Sequence, residues 1–141
     1  MDDLKFRFVC TLQLSAGLAL LLFIVFYRGS WNAERMAGLI VALPSLILLF
    51  IARFQLGRSF SVTPQARKLV TTGLYSKIRN PMYVFSFLLV FGFLLALQKP
   101  YLLLVLAILL PIQIVRARQE ARVLERKFGD AYREYRSRTW F

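Results

Sequence analysis

The chain has 141 residues, 58% of them hydrophobic, and carries 19 basic against 7 acidic side chains for a net charge of +12. That length favours one domain, and that hydrophobic share lies above the range of ordinary soluble globules. The absence of histidine removes the usual general base for neutral pH, and a single cysteine excludes an internal disulfide.

The hydrophobic excess is blocked rather than spread. Residues 8–27 are uncharged and long enough to cross the roughly 30 Å hydrocarbon core as a helix. No small-residue cleavage site follows them, so an anchor helix is expected rather than a signal peptide. Cys10, inside this run, reads as a small apolar filler. A turn cluster, Tyr27-Arg28-Gly29-Ser30, precedes Trp31, which suits an interfacial anchor. A second span is expected over residues 34–53, kinked at Pro44. A third over 82–98 and a fourth over 100–115 are joined only by Gln98-Lys99-Pro100. They are expected to pack on each other as a tight antiparallel hairpin, with Gly92 and Ala96 permitting close helix approach. Open strand edges cannot be satisfied in lipid, so all four segments should be helical. The fold class expected is an all-α integral membrane protein, a single membrane domain of four transmembrane helices with a cytoplasmic loop and a C-terminal amphipathic cytoplasmic helix.

Charge sets the expected orientation. The loop 54–81, with its flank at Arg53, holds Arg53, Arg58, Arg67, Lys68, Lys77 and Arg79 and no acid. The tail holds Arg116, Arg118, Arg122, Arg126, Lys127, Arg133, Arg136 and Arg138. The opposite connections carry only Arg28, Arg35 and Lys99. Basic loops stay cytoplasmic, so the N-terminus (Lys5, Arg7), the central loop and the C-terminus share the cytoplasmic side. The partner expected for this charge is the anionic bilayer surface and not nucleic acid, because the basic residues flank apolar spans.

Residues 116–137 read as the tail helix. Ala117, Ala121, Leu124, Phe128, Ala131 and Tyr135 recur at steps of four and three, which makes one apolar face. Glu120 falls beside that stripe, where a carboxylate in partly dry surroundings needs a cation: Arg116 one turn earlier, or the ammonium of a ligand. The central loop has its own apolar side (Val62, Leu69, Val70, Leu74, Ile78), is stiffened by Pro64, and should fold back on the helices. Asn80-Pro81 marks the start of the third helix, with Pro81 where its missing N–H costs nothing. A free helix N-terminus beside Arg79 would attract a carboxylate.

Three stretches carry a family likeness: GRSFSV (57–62), LVTTGLYSKIRNPMY (69–83) and RARQEARVLERKFGDAYREY (116–135). Together they resemble the isoprenylcysteine carboxyl methyltransferase family, whose membrane fold phospholipid N-methyltransferases share. That family is similar in its H-x-L-V-T-x-G-P-Y stretch, its R-H-P-x-Y or R-N-P-x-Y motif before a helical hairpin, and its E-E-x-x-L-x-x-x-F-G-x-x-Y after it. Here the histidine falls at Arg67, the proline of G-P-Y at Leu74, the histidine of R-H-P at Asn80, and the second acid at Ala121. The resemblance implies transfer of a methyl group from S-adenosylmethionine to a lipophilic small-molecule acceptor arriving from the bilayer. It implies cofactor binding by Leu69, Val70, Gly73, Tyr75, Arg79, Asn80, Pro81, Tyr83, Glu120 and Tyr132, with Arg79 and Glu120 nearest the chemistry. The charges fit that guest. Glu120 would take its ammonium, Arg79 and the third helix its carboxylate, and Tyr75 and Tyr83 would offer faces to adenine or sulfonium. In-line methyl displacement needs alignment and dryness more than a base, particularly when the acceptor is a carboxylate already ionised at pH 7. Arg67 and Ala121 motivate the alternative of a non-catalytic relative that binds lipid or docks a partner.

Overall fold

The computed structural model describes residues 3–57 and 69–141. The side chains of Lys5, Arg7 and Cys10, and the expectations placed on Arg58, Val62, Pro64, Arg67 and most of the 57–62 motif, lie outside the described residues. The described chain is helical: α1 (Asp3–Phe26), α2 (Ala33–Leu56), α3 (Pro81–Ala96), α4 (Leu104–Phe128) and α5 (Asp130–Arg138), with single 3-10 turns at Gly73–Ser76 and Pro100–Leu103. Two helical stretches, Ala33–Leu56 and Pro100–Phe128, are long and apolar enough to cross a membrane. Thr11–Phe26 and Pro81–Ala96 are apolar but shorter.

The core of the bundle is the α2–α3 pair, not the α3–α4 hairpin expected from the short connection. The buried residues of α2 explain this: Arg35, Gly38, Ala42, Ser45, Leu49 and Ala52 recur at alternating steps of three and four, which is one continuous face. Small residues on that face let two backbones meet. A Cβ on Gly38 would lie 2.6 Å from the Gly92 carbonyl oxygen, and one on Gly92 would lie 2.6 Å from the Ala42 nitrogen. Gly92 and Ala96 do mark a close approach, but their partner is α2. The short turn brings α3 and α4 together only lightly. Their seam contains a polar contact, Gln113 Nε2 donating to Ser86 Oγ at 3.0 Å.

Two connections are clamped at one end of the bundle. Asn32 caps α2 by accepting from the Arg35 N–H, at 3.1 Å. Gln98 turns the chain in the left-handed region (φ 58) and donates its amide to the Ser30 carbonyl at 2.5 Å and to Asn32 Oδ1 at 2.7 Å. Arg35, counted above as a loop charge, is instead fully buried. Its guanidinium donates to the Ile24 carbonyl in the last turn of α1 and to those of Tyr27 and Gly29 just past it, and stacks 4.2 Å from the Trp31 ring. The positive charge there also meets the negative end of the helix dipole.

Contact of Gly38 with Ala96 and of Ala42 with Gly92 fixes the antiparallel register of α2 and α3. Continued at equal rise, it sets Arg53 level with Pro81, about 27 Å along α2 from Arg35. The two fully buried arginines among the described residues thus stand near opposite ends of the apolar stretch. The tail helix expected over 116–137 is formed by the charged half of α4 together with α5. The charged residues after Val115 continue α4 without a break to Phe128, because nothing before Gly129 stops a helix. Gly129 (φ 50) ends it, and α5 follows at a new phase. Ala131, expected on the buried stripe, is therefore exposed, while Tyr132 and Tyr135 are buried.

Candidate active site

Four segments converge at the basic end of the bundle: the last turn of α2, the loop 69–80, the first turn of α3, and the charged half of α4 with α5. The loop is short of structure of its own. Its one 3-10 turn, Gly73–Ser76, starts with Gly73 at φ 64 and lies on Gln55, whose Oε1 accepts the Leu74 N–H at 2.7 Å. That turn buries Tyr75, with Arg53 as an electrostatic neighbour. Burial, and then the nearby Glu120 carboxylate, push the Tyr75 phenol above its ordinary range, so it stays protonated at neutral pH.

Glu120 is the acid of the site. The seam that pairs Ser86 with Gln113 brings Tyr83, one turn nearer the basic end, to Arg116 and Glu120. The Tyr83 hydroxyl donates to the Glu120 carboxylate, and Arg116 bears on both. Burial nevertheless outweighs these two stabilising neighbours and raises the Glu120 pKa above the ordinary carboxylate value. Arg116, one turn earlier on α4, is thus a partner for Glu120, as the spacing had offered.

Arg79 is the second charged residue that bears on the buried tyrosines. Its Nε is buried and has no hydrogen-bond partner among the described residues. Tyr132, fully buried, is influenced by both charges: burial raises its pKa overall, Arg79 stabilises its phenolate and Glu120 opposes it. Arg79 also bears on Tyr135, whose pKa burial pushes up to about 12. Glu120 thus bears on Tyr75, Tyr83 and Tyr132, and Arg79 on Tyr132 and Tyr135. Leu69 and Val70 are half-buried, and fully buried Pro81 occupies the first position of α3.

At the N-cap of α3, Asn80 gives both its N–H and its side-chain Nδ2 to the Phe141 carbonyl, at 3.0 and 2.9 Å. Asn80 makes no side-chain cap to its own helix. Three residues escaped the sequence reading. Arg53 was counted as a surface charge, although it adjoins Ala52 at the end of the three-four stripe of α2. Gln55 carries no signal beyond its place at a helix end. Tyr135 was read as packing, whereas its hydroxyl donates to the Tyr75 carbonyl at 2.8 Å.

An apolar helical bundle with a half-buried acid and arginine beside buried tyrosines at its basic end is the build of a membrane protein. A family model, phospholipid methyltransferase, matches residues 33–131, and the chain belongs to that family of membrane methyltransferases. No curated protein and no solved structure matches it. The matched stretch takes in α2, the loop, α3 and α4, and it ends at the first residues of α5.

Proposed function

We propose that the chain transfers a methyl group from S-adenosylmethionine to a small lipophilic acceptor at the cytoplasmic face of a membrane it crosses four times, with both termini in the cytoplasm. The family supports the reaction class. The observation that carries the residue assignment is the pair of opposite charges about Tyr132, with the buried Arg79 Nε still holding a hydrogen to donate. S-adenosylmethionine, when bound, supplies an electrophilic methyl on a sulfonium, and its amino-acid end carries one ammonium and one carboxylate. Those residues fit that group. Glu120 receives the ammonium, the Arg79 guanidinium the carboxylate, and Tyr75 on the loop and Tyr83 on α3 offer their rings to the adenine or the sulfonium. Leu69, Val70, Gly73, Asn80, Pro81 and Tyr132 complete the pocket wall.

The chain's own contribution is alignment and dryness. Buried tyrosines that stay protonated at neutral pH exclude water without introducing a second negative charge. Ionised Glu120 near the sulfonium stabilises bound cation, and the orientation of donor and acceptor supplies most of the acceleration. The chain has no histidine to act as a base, so a carboxylate acceptor is the class it serves best. An acceptor of that kind joins this chain to the isoprenylcysteine carboxyl methyltransferases it resembles in its three motifs. Calorimetric titration of the purified protein in detergent with S-adenosylhomocysteine tests the assignment. Binding by the wild type, lost at least tenfold in Glu120→Ala with the helical spectrum intact, is expected. No heat at millimolar ligand would leave a non-catalytic lipid-binding relative as the better account.

A further inference from the structure

Residues 139–141 run beside residues 77–80 as a short parallel pair. The Trp140 N–H donates to the Lys77 carbonyl at 2.7 Å, and the Arg79 N–H returns to the Trp140 carbonyl at 2.8 Å. Asn80 closes the pair on Phe141 with the two bonds described above. At the other end of the same loop, Tyr135 holds the Tyr75 carbonyl, and the Thr139 hydroxyl holds the Tyr135 carbonyl at 2.9 Å. One element therefore grips the loop at Tyr75, Lys77, Arg79 and Asn80. This element lies beyond residue 131, outside the stretch the family model matches.

We infer that residues 135–141 are a strap that fixes the loop presenting Tyr75 and Arg79, with the Tyr135 hydroxyl and the Trp140 backbone N–H as positioning groups. The inference rests on the methyltransferase reading. A loop with a single 3-10 turn cannot hold its own backbone; each of its residues left free costs about 1–2 kcal/mol to order. The strap meets that cost in advance, so ligand binding does not have to. Trp140 acts through its backbone. Its ring is exposed and meets only Phe141 among described aromatic rings, at 6.1 Å. Thr139 is already extended (φ -119, ψ 148), so its conformation suits a following proline, and proline at 140 removes the donor.

The experiment compares Trp140→Pro, Trp140→Ala and Tyr135→Phe by titration with S-adenosylhomocysteine, and by hydrogen exchange at the Arg79 and Asn80 amides. Trp140→Pro and Tyr135→Phe should each weaken binding roughly tenfold, the equivalent of one lost hydrogen bond. Trp140→Ala, which keeps the N–H, should restore it. Protection of the Arg79 and Asn80 amides should be lost in Trp140→Pro and kept in Trp140→Ala. Unchanged affinity with unchanged protection overturns the strap. Tighter binding in Trp140→Pro also overturns it, because Phe141 would then be occupying the ligand's place at Asn80. If the wild type fails to bind, the methyltransferase reading falls, and the exchange data still decide whether the strap holds the loop.

Discussion

Gly73→Ala is the substitution whose consequence the structure fixes most closely. Gly73 opens the 3-10 turn at φ 64, and a side chain there costs about 1 kcal/mol more than glycine. The added Cβ would also overlap the amide end of Gln55, so that flexible group must swing aside. In doing so it loses the Leu74 N–H bond of 2.7 Å, a further cost of about 1 kcal/mol. The turn carries Tyr75, so the combined cost of about 2 kcal/mol should fall on the ligand-ready loop as roughly a thirtyfold loss of affinity. Titration with S-adenosylhomocysteine measures it. Gln55→Leu alone should lose about fivefold, and adding Gly73→Ala to Gln55→Leu should cost only the backbone part. The two losses are thus coupled through one contact. Full additivity, or a Gly73→Ala protein that binds like the wild type, would refute the account of this turn.

Arg35→Leu leaves the Ile24 carbonyl in the last turn of α1, and those of Tyr27 and Gly29 just past it, without their donor. It should lower stability by about 2–3 kcal/mol, read as thermal unfolding in detergent. Gly92→Val drives a side chain into the α2 backbone and should cost about 3 kcal/mol or prevent folding, while Ser86→Ala on the lightly packed α3–α4 seam should cost less than about 1 kcal/mol. The pH dependence follows from Glu120. Its folded pKa is raised, so the folded protein holds a proton that the unfolded chain has lost. Stability should therefore fall as pH rises from the ordinary 4.5 through the raised value, and level off above it. Binding of an ammonium needs the ionised acid, so affinity should weaken as pH falls through that same raised value. Glu120→Gln should abolish both dependences.

The segments of this fold were legible because apolar runs and charge asymmetry are local signals. Residues 34–53 and 82–98 match α2 and α3 to within a few residues. The partners of those helices were not legible in the same way. A short connection between the third and fourth segments argued for their packing, yet backbone contact is decided by small residues. The steps of three and four from Arg35 to Ala52 were in the sequence all along. Arg35 and Arg53 were misread for the same reason: a charge at the end of an apolar run looks like an anchor until the face it shares with Gly38 and Leu49 is traced. In the tail, a single heptad-like stripe was carried across Gly129, where the helix restarts. Ala131 is therefore exposed, and Tyr132, which was not on that stripe, is buried. The position of Glu120 was legible because an acid beside an apolar stripe needs a partner. The strap was not, because apart from the Tyr135 hydroxyl and the Asn80 amide its bonds to the loop are made by backbone groups, and any residue at 140 except proline would supply the N–H.

A structure determined with S-adenosylhomocysteine bound tests the central assignment most directly. The account expects the ligand's ammonium about 3 Å from the Glu120 carboxylate, with Tyr83 or Arg116 giving way to it, and its carboxylate on the Arg79 guanidinium beside Tyr132. A ligand bound elsewhere, with Glu120 still held by Tyr83 and Arg116 and the Arg79 Nε unengaged, would contradict it.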